Sequence, residues 1–102
     1  MIDVAEAKRL LDAGVPVIDV RNPEEVARVR IGASVNLPLP ELSKGGTDGL
    51  PADRTGPVVT ICAAGTRSLY ALLLLKAQGY HEVKSVAGGM NAWVSAGLPV
   101  AD

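Results

Sequence analysis

The only cysteine of the chain, Cys62, stands where it could act as a nucleophile. It follows the short apolar run 58–61 and precedes a Leu- and Ala-rich run over residues 69–77. The first run is typical of a strand buried on both faces, and the second predicts a buried helix. The turn between them then lies at the carboxyl end of a sheet and at the amino end of a helix, where unpaired N–H groups favour negative charge. This spacing, with Arg67 nearby, predicts a reactive thiolate.

A simpler interpretation is that Cys62 is only a small buried hydrophobic residue, as free cysteines often are. The strand–Cys–Gly–Arg–helix order favours the reactive one, because helix N-termini and cations lower a cysteine pKa from about 8.5 to between roughly 3.5 and 7.5. The single histidine, His81, would be the usual base of a cysteine hydrolase. It precedes the strand-like run 83–86 whereas Cys62 follows one. We therefore expect the two residues at opposite edges of a parallel sheet.

Three segments of the chain resemble the rhodanese-like sulfurtransferases. Cys62-Ala-Ala-Gly-Thr-Arg-Ser68 is similar to the family's active-site loop, Cys-x-x-Gly-x-Arg-Ser. Ile18-Asp-Val-Arg21, followed by Glu24-Glu25, is similar to the family's Asp-Val-Arg…Glu segment. Val86-Ala-Gly-Gly-Met-Asn-Ala-Trp93 is similar to its closing Gly-Gly-x-x-x-Trp segment. The three occur in the family's order, and the resemblance covers the chain from about residue 18 to residue 99.

The resemblance implies an α/β fold in three layers, with a mostly parallel central sheet flanked by helices. It implies a thiosulfate sulfurtransferase (rhodanese) that moves sulfur to cyanide, a thiol or a protein through a persulfide on Cys62. Substrate would be bound by the rest of the loop: Ala63, Ala64, Gly65, Thr66, Arg67 and Ser68. Asp19 would brace this loop and Arg21 would add positive potential. An Asp19–Arg21 ion pair that only holds the strand ends together is an equal alternative.

The chain departs from the family pattern in one region. Arg30 stands where His is usual and Val29 where Gly precedes it, and Gly32-Ala-Ser34 replaces x-Gly-Ala. Val26 also replaces the customary aromatic residue. These changes leave the cysteine loop intact, and they bear on the geometry of the local turn.

Composition narrows the choice of partners and cofactors. A net charge of −1 and a pI near 5.7 argue against nucleic acid or an anionic membrane surface. No stretch approaches the roughly 20 apolar residues that span a bilayer, and the first residues lack the blocks of a signal peptide. One cysteine excludes an internal disulfide and fits the cytoplasm. With one His and one Cys we expect no metal, and we expect no other cofactor.

The 102 residues are expected to form one domain, as a monomer or homodimer. Asp3 predicts a helix start and Gly14 its end, and residues 15–20 predict a strand. Asn22-Pro23 predicts a second helix start, with Glu24 and Glu25 as capping residues. We expect a short strand over 34–37, a turn or one-turn helix around Pro38 and Pro40, and a surface loop over 43–57.

Helix 69–77 is apolar around nearly its whole circumference, so we expect it to be covered on both sides. Ala87-Gly-Gly89 predicts a second turn, whose glycines allow the backbone to approach where substrate enters. Trp93 is interpreted as a core anchor under a short final helix.

Three other functions compete with sulfur transfer. Related phosphatases and arsenate reductases place one more residue between Cys and Arg than the four that separate Cys62 from Arg67. That shorter loop suits a persulfide sulfur better than a tetrahedral oxyanion. A regulatory module or persulfide relay without turnover would retain the same residues. A simple redox thiol would form mixed disulfides, since no resolving cysteine is present.

Overall fold

The computed structural model describes residues 1–101 and places a four-stranded parallel sheet at their centre. The strands are β1 (Val17–Asp19), β2 (Val35–Asn36), β3 (Pro57–Ile61) and β4 (Glu82–Ser85), in the order β2-β1-β3-β4. The helices are α1 (Val4–Asp12), α2 (Pro23–Arg28), α3 (Leu39–Ser43), α4 (Thr66–Ala77) and α5 (Gly89–Ser95). All three strand pairings are parallel. The predicted α/β class with a parallel sheet is confirmed.

The two faces of the sheet carry separate hydrophobic clusters, because successive side chains of a strand point to opposite faces. Along β3, Val58 joins the cluster that contains Ala71 and Leu75 of α4. Val59 joins the cluster that contains Trp93 of α5. Helices α3 and α4 therefore cover one face, and α1 and α5 cover the other. The layers are helix, sheet and helix, as the resemblance implied.

The helix starts follow the capping residues in the sequence. Asp3 accepts a hydrogen bond from the N–H of Glu6 at 2.8 Å, at the start of α1. Asn22 and Glu25 form a reciprocal capping box at α2, with Pro23 at the first position. Gly14 follows α1 with a φ of +89°, as expected of a glycine that ends a helix. Local sequence thus sets where α1 and α2 begin.

The region that departs from the family pattern forms an ordinary closed turn. Ser34 donates to the carbonyl of Ile31 from both its N–H, at 3.0 Å, and its hydroxyl, at 2.7 Å. Ile31 is buried in the cluster beneath α1 and α5. The carbonyl of Arg30 accepts from the N–H of Ala101 at 2.8 Å. Ser34 and Arg30 therefore pair these polar groups within the scaffold.

Three sequence expectations need correction. The strands expected over 15–20 and 34–37 are only Val17–Asp19 and Val35–Asn36. The expectation that α4 is covered on both sides is wrong, because Leu69, Tyr70 and Leu73 are 43%, 56% and 60% exposed. Helix α4 packs against β3, β4 and α3, so its remaining face stays in solvent despite its apolar residues. Within residues 1–101, no helix has the length and apolar character needed to cross a membrane.

Candidate active site

Cys62 is the first residue after β3, and its sulfur lies inside the turn that leads into α4. We call residues 62–68 the cysteine loop. The N–H of Gly65 donates to the sulfur at 3.1 Å, and the Ser68 hydroxyl lies 3.5 Å from it. Gly65 caps α4 with a φ of +106°, a conformation that L side chains rarely adopt. Glycine at this position therefore lets the chain turn its N–H towards the sulfur.

The surroundings of Cys62 favour its thiolate. The residue is only 1% exposed, and burial by itself raises the pKa of the thiol. Hydrogen bonds from the Ser68 hydroxyl and from the backbone N–H groups of Ser68, Gly65 and Ala64 outweigh burial, so the pKa of Cys62 lies below its usual value. Hydrogen-bond donors of the loop, and not a histidine, are therefore what lowers the pKa of Cys62.

His81 lies away from the sulfur, as the sequence predicted. It immediately precedes β4, and β4 begins opposite Pro57, the first residue of β3. Cys62 follows the last residue of β3, so the two residues occupy opposite edges of the sheet. The N–H of His81 donates to the carbonyl of Arg54 at 2.9 Å, on that far edge. The histidine is therefore not the base for the thiol.

A second turn, residues 87–89, leads into α5, and the N–H groups that follow it brace the cysteine loop. We call residues 87–89 the glycine turn. The N–H of Met90 donates to the carbonyl of Cys62 at 2.7 Å, and the N–H of Asn91 donates to that of Ala63 at 3.0 Å. A Cβ on Gly89 would lie 2.3 Å from the Cys62 carbonyl oxygen, so a side chain cannot fit there. The close approach expected of these glycines is made to the loop itself.

Arg67 is held by a carboxylate that the sequence reasoning assigned only to helix capping. Its two terminal nitrogens donate to Glu25, at 2.6 Å to Oε1 and 2.8 Å to Oε2. This bond with Arg67 is the main reason that the pKa of Glu25 falls to about 2. The capping role is also present, because Glu25 accepts from the N–H of Asn22 at 3.1 Å. Glu25 could have been suspected because α2 starts at the same sheet edge as the cysteine loop.

Asp19 and Arg21 form a buried ion pair at that edge. The Arg21 Nη2 and the Asp19 Oδ2 are 2.7 Å apart, and both side chains are at most 3% exposed. Arg21 also donates to the carbonyl of Val29 at 2.7 Å, and so ties the end of β1 to α2. Asp19 pairs in register with Ile61, the neighbour of Cys62. The ion pair is therefore present, and Arg21 also lines the cleft between α2 and α5.

A cleft of about 550 Å³ opens between α2 and α5, beside Ala63. Arg28 and Glu25 lie on the α2 side, and Asn91 and Val94 lie on the α5 side. The cleft gives a larger molecule room next to the cysteine loop. Within residues 1–101, no group of three or more His, Cys, Asp or Glu side chains is placed to hold a metal ion.

Trp93 is the core anchor that the sequence suggested. It is 1% exposed in the cluster between the sheet, α1 and α5, and its indole N–H donates to the carbonyl of Pro99 at 2.9 Å. The indole supports α5 from below, and through α5 it supports the brace on the cysteine loop.

Comparisons with known proteins agree with this geometry. The family model of the rhodanese-like domain matches residues 3–96. A sulfurtransferase of Allochromatium vinosum is 37% identical over 95 residues, which cover 92% of this chain and 86% of the relative. The thiosulfate sulfurtransferase GlpE of Pseudomonas fluorescens is 33% identical over 91 residues, which cover 88% and 80% of the two chains.

A solved structure is similarly close. The crystal structure of a rhodanese-related protein from Thermoplasma volcanium superposes with a TM-score of 0.83 at 32% identity, over 98% of this chain and 95% of that one. Sequence, fold and the family model thus agree across nearly the whole chain, and the protein belongs to the rhodanese-like domain family of sulfurtransferases.

Proposed function

We propose that this protein is a thiosulfate sulfurtransferase in which Cys62 carries the transferred sulfur as a persulfide. The observation that carries the proposal is the sulfur of Cys62 held against the N–H of Gly65 at 3.1 Å, with its pKa below the usual value. Family membership supports sulfur transfer in general. The relative named as a thiosulfate sulfurtransferase supports thiosulfate as the donor.

The reaction has two steps, each a displacement at sulfur. The Cys62 thiolate attacks the outer sulfur of thiosulfate, an S–S bond forms on the enzyme, and the S–S bond of thiosulfate breaks to release sulfite with its electron pair. An acceptor such as cyanide then attacks the outer persulfide sulfur, and thiocyanate leaves while Cys62 returns as a thiolate. Charge is conserved in both steps, and neither needs an external oxidant or reductant.

The backbone donors of the cysteine loop suit this chemistry because every state carries a negative sulfur in the loop. The charge lies on the Cys62 sulfur in the thiolate, where the N–H of Gly65 meets it, and on the outer sulfur in the persulfide. Cys62 is nearly enclosed, so a small donor with a protruding terminal sulfur can reach it more easily than a bulky phosphate ester. A disulfide-length bond of about 2.05 Å then moves the transferred sulfur outwards, towards its acceptor.

Arg67 is proposed to orient the sulfonate end of the donor. A guanidinium has five N–H donors, and Glu25 takes two of them, on two different nitrogens. Three donors therefore remain, in an orientation fixed by the bidentate bond. Since Glu25 neutralises its charge, the loop amides of Ala63, Ala64, Gly65, Thr66 and Ser68 supply most of the proposed anion binding. Asp19 and Arg21 are proposed as the brace behind them.

The partners we propose are a small anionic sulfur donor and a thiol or protein acceptor, with no nucleic acid. The cleft beside Ala63 offers room for a polar acceptor, and Arg28 is an exposed cation on its wall. We take residues 1–102 as one catalytic domain. The cytoplasm is the proposed location, because a lone cysteine that must cycle between thiolate and persulfide needs a reducing compartment.

The test is steady-state formation of thiocyanate from thiosulfate and cyanide, with Cys62→Ser as the matched control. We expect saturable turnover by the natural protein and none by the variant, with the same thermal unfolding temperature in both. Turnover that survives in Cys62→Ser would refute the nucleophile. Hydrolysis of an aryl phosphate by the natural protein, without thiocyanate formation, would favour the phosphatase alternative.

A further inference from the structure

Behind the cysteine loop, a chain of buried hydroxyl groups leads away from the reactive sulfur. The sulfur of Cys62 lies 3.5 Å from the Ser68 hydroxyl oxygen, which lies 2.8 Å from that of Ser85. Ser68 and Ser85 are both 0% exposed. Ser68 belongs to the first turn of α4, and Ser85 is the last residue of β4. The mechanism above assigns no role to Ser85.

The partners of each hydroxyl set the direction of this chain. Within residues 1–101, the Ser68 oxygen is the only hydrogen-bonding partner of the Ser85 hydroxyl. A buried O–H left without an acceptor is costly, so Ser85 donates and Ser68 accepts. With a protonated thiol, the Ser68 oxygen accepts from the Cys62 S–H and the Ser68 hydroxyl donates to the carbonyl of Gly65, 3.2 Å away; with a thiolate, the Ser68 proton can turn to the sulfur. When the sulfur is negative, it is the stronger acceptor.

We propose that Ser85 is a positioning residue, which holds the Ser68 hydroxyl as a hydrogen-bond donor to the sulfur of Cys62. Ser85 does not touch the sulfur and acts only through Ser68. A donor behind the Ser68 oxygen polarises its O–H bond and strengthens its bond to an anion. For the persulfide form, the inference rests on the proposed function; for the thiolate, it rests on the hydrogen bonds alone.

In the described part of the chain, few charged side chains surround the Cys62 sulfur and could influence how its reactivity changes with pH. Arg67 is the charged side chain of α4 next to the sulfur, and Glu25 of α2 neutralises it. Asp19 of β1 acts on Arg67 from further away and is itself paired with Arg21. Helix α5 meets the loop with backbone N–H groups. None of these contacts includes Ser85, so its removal should leave them in place.

The experiment is the rate of Cys62 alkylation by iodoacetamide, measured between about pH 5 and pH 10 for the natural protein and for Ser85→Ala. The midpoint is the pH at which the alkylation rate reaches half of its maximum. We expect the midpoint of the variant to lie about 0.5–1 pH unit higher, so that at pH values below the midpoint the variant reacts about 3- to 10-fold more slowly. Because alkylation needs no sulfur donor, this result is independent of whether thiosulfate is the substrate. A protein that fails to load sulfur would refute the proposed function and leave this inference standing.

The matched control is Thr60→Val. Thr60 is also 0% exposed and pairs with Ser85 across the sheet, but its hydroxyl donates to the backbone carbonyl of Ser68 at 2.8 Å. We expect it to lower the unfolding temperature without moving the alkylation midpoint. An equal shift in Thr60→Val would mean that any lost buried hydroxyl disturbs the loop, and would overturn the proposal.

A double-mutant cycle tests whether Ser85 acts through Ser68. Ser68→Ala should raise the midpoint more than Ser85→Ala, and adding Ser85→Ala to it should cause no further rise. If the midpoint shifts of the two single variants add in the double variant, the proposed route through Ser68 is wrong. It is also wrong if Ser85→Ala has the same midpoint as the natural protein. If Ser85→Ala fails to fold, Ser85→Thr takes its place, because it keeps the hydroxyl. This variant should have the midpoint of the natural protein, and a folded Ser85→Thr variant with a raised midpoint would contradict the proposal.

Discussion

Two successive strand–turn–helix units meet at the carboxyl edge of the sheet, and they use the same backbone device for different purposes. The cysteine loop joins β3 to α4, and the glycine turn joins β4 to α5. Each helix is capped by a left-handed glycine, Gly65 with a φ of +106° and Gly88 with a φ of +76°. In the first unit an N–H donates to a sulfur, whereas in the second the N–H groups donate to carbonyls of the first.

The two helix starts differ in which backbone donors are left free to face a side chain. At the start of α5, the N–H groups of Met90 and Asn91 are used on the carbonyls of Cys62 and Ala63. The cysteine loop is thereby held in shape from outside, and its own N–H groups can face the sulfur.

Gly89→Ala should be the most damaging, because it removes the brace. Its Cβ would lie 2.3 Å from the Cys62 carbonyl oxygen and 2.7 Å from that of Ala63. Left-handed strain and overpacking together predict a loss of about 2–5 kcal/mol in the free energy of unfolding. Urea unfolding measures it. Gly97→Ala is the control, with a φ of +73° and nothing within 4 Å, and it should lose only about 1–2 kcal/mol. Equal losses would show that the contact with the loop contributes nothing.

Gly65→Ala should cost reactivity more than stability. Its Cβ would meet the Gly88 nitrogen at 3.3 Å, a tight but tolerable contact, while the positive φ would move the N–H away from the sulfur. Loss of one such donor predicts a fall of about 100-fold in the rate of sulfur loading, as for an oxyanion-hole donor. Stopped-flow loading from thiosulfate measures it. Gly14→Ala, at a φ of +89° and with nothing within 4 Å, should load at the natural rate.

Arg67→Ala should weaken donor binding more than it slows the chemistry. If the guanidinium orients the sulfonate, KM for thiosulfate should rise about 10-fold while kcat falls less than about 3-fold. Arg54→Ala is the control for net charge, since Arg54 meets His81 at the opposite edge of the sheet, and it should leave both constants unchanged. An equal fall in kcat and kcat/KM would instead place Arg67 in the transition state.

The smallest expected effect is the loss, in acid, of the contribution that Glu25 makes to the free energy of unfolding. Its pKa of about 2 lies below the ordinary value of 4.5, so its bond to Arg67 stabilises the fold above about pH 4.5. That contribution is lost as the pH falls through about 2, and because the Arg67 and Glu25 side chains are 34% and 31% exposed, it stays below about 1 kcal/mol. Urea unfolding at about pH 5 and pH 2.5 should show a smaller acid loss for Glu25→Gln than for the natural protein. Glu24→Gln, on the exposed neighbour of Glu25, should retain the full natural loss.

Much of this architecture could be predicted from the sequence, because local patterns carry it. The run 58–61, Cys62 and the Leu-rich helix together fix a strand, a turn and a helix start in order. Asn22-Pro23 fixes the start of α2. The bond of Glu25 to Arg67 and that of Ser85 to Ser68 are not specified by local patterns, because the partners are 42 and 17 residues apart in sequence. Such contacts depend on how the strands are ordered in the sheet, which local patterns do not specify.

The exposed face of α4 shows another limit of local patterns. Leu69, Tyr70 and Leu73 look like buried positions in sequence, yet all three are exposed. Apolar content indicates which residues can be buried, whereas the number of layers around a helix determines which ones are. Helix α4 lies in an outer layer, so only its sheet-facing side, with Ala71 and Leu75, is fully enclosed.

The most direct test of the central claim is the intact mass of the protein before and after incubation with thiosulfate, repeated on Cys62→Ser. We predict that the natural protein gains the mass of one sulfur atom, that a thiol reductant removes it, and that the variant gains nothing. A natural protein that gains no sulfur, although Cys62 alkylates as a thiolate, would contradict the claim that this loop accepts sulfur from thiosulfate.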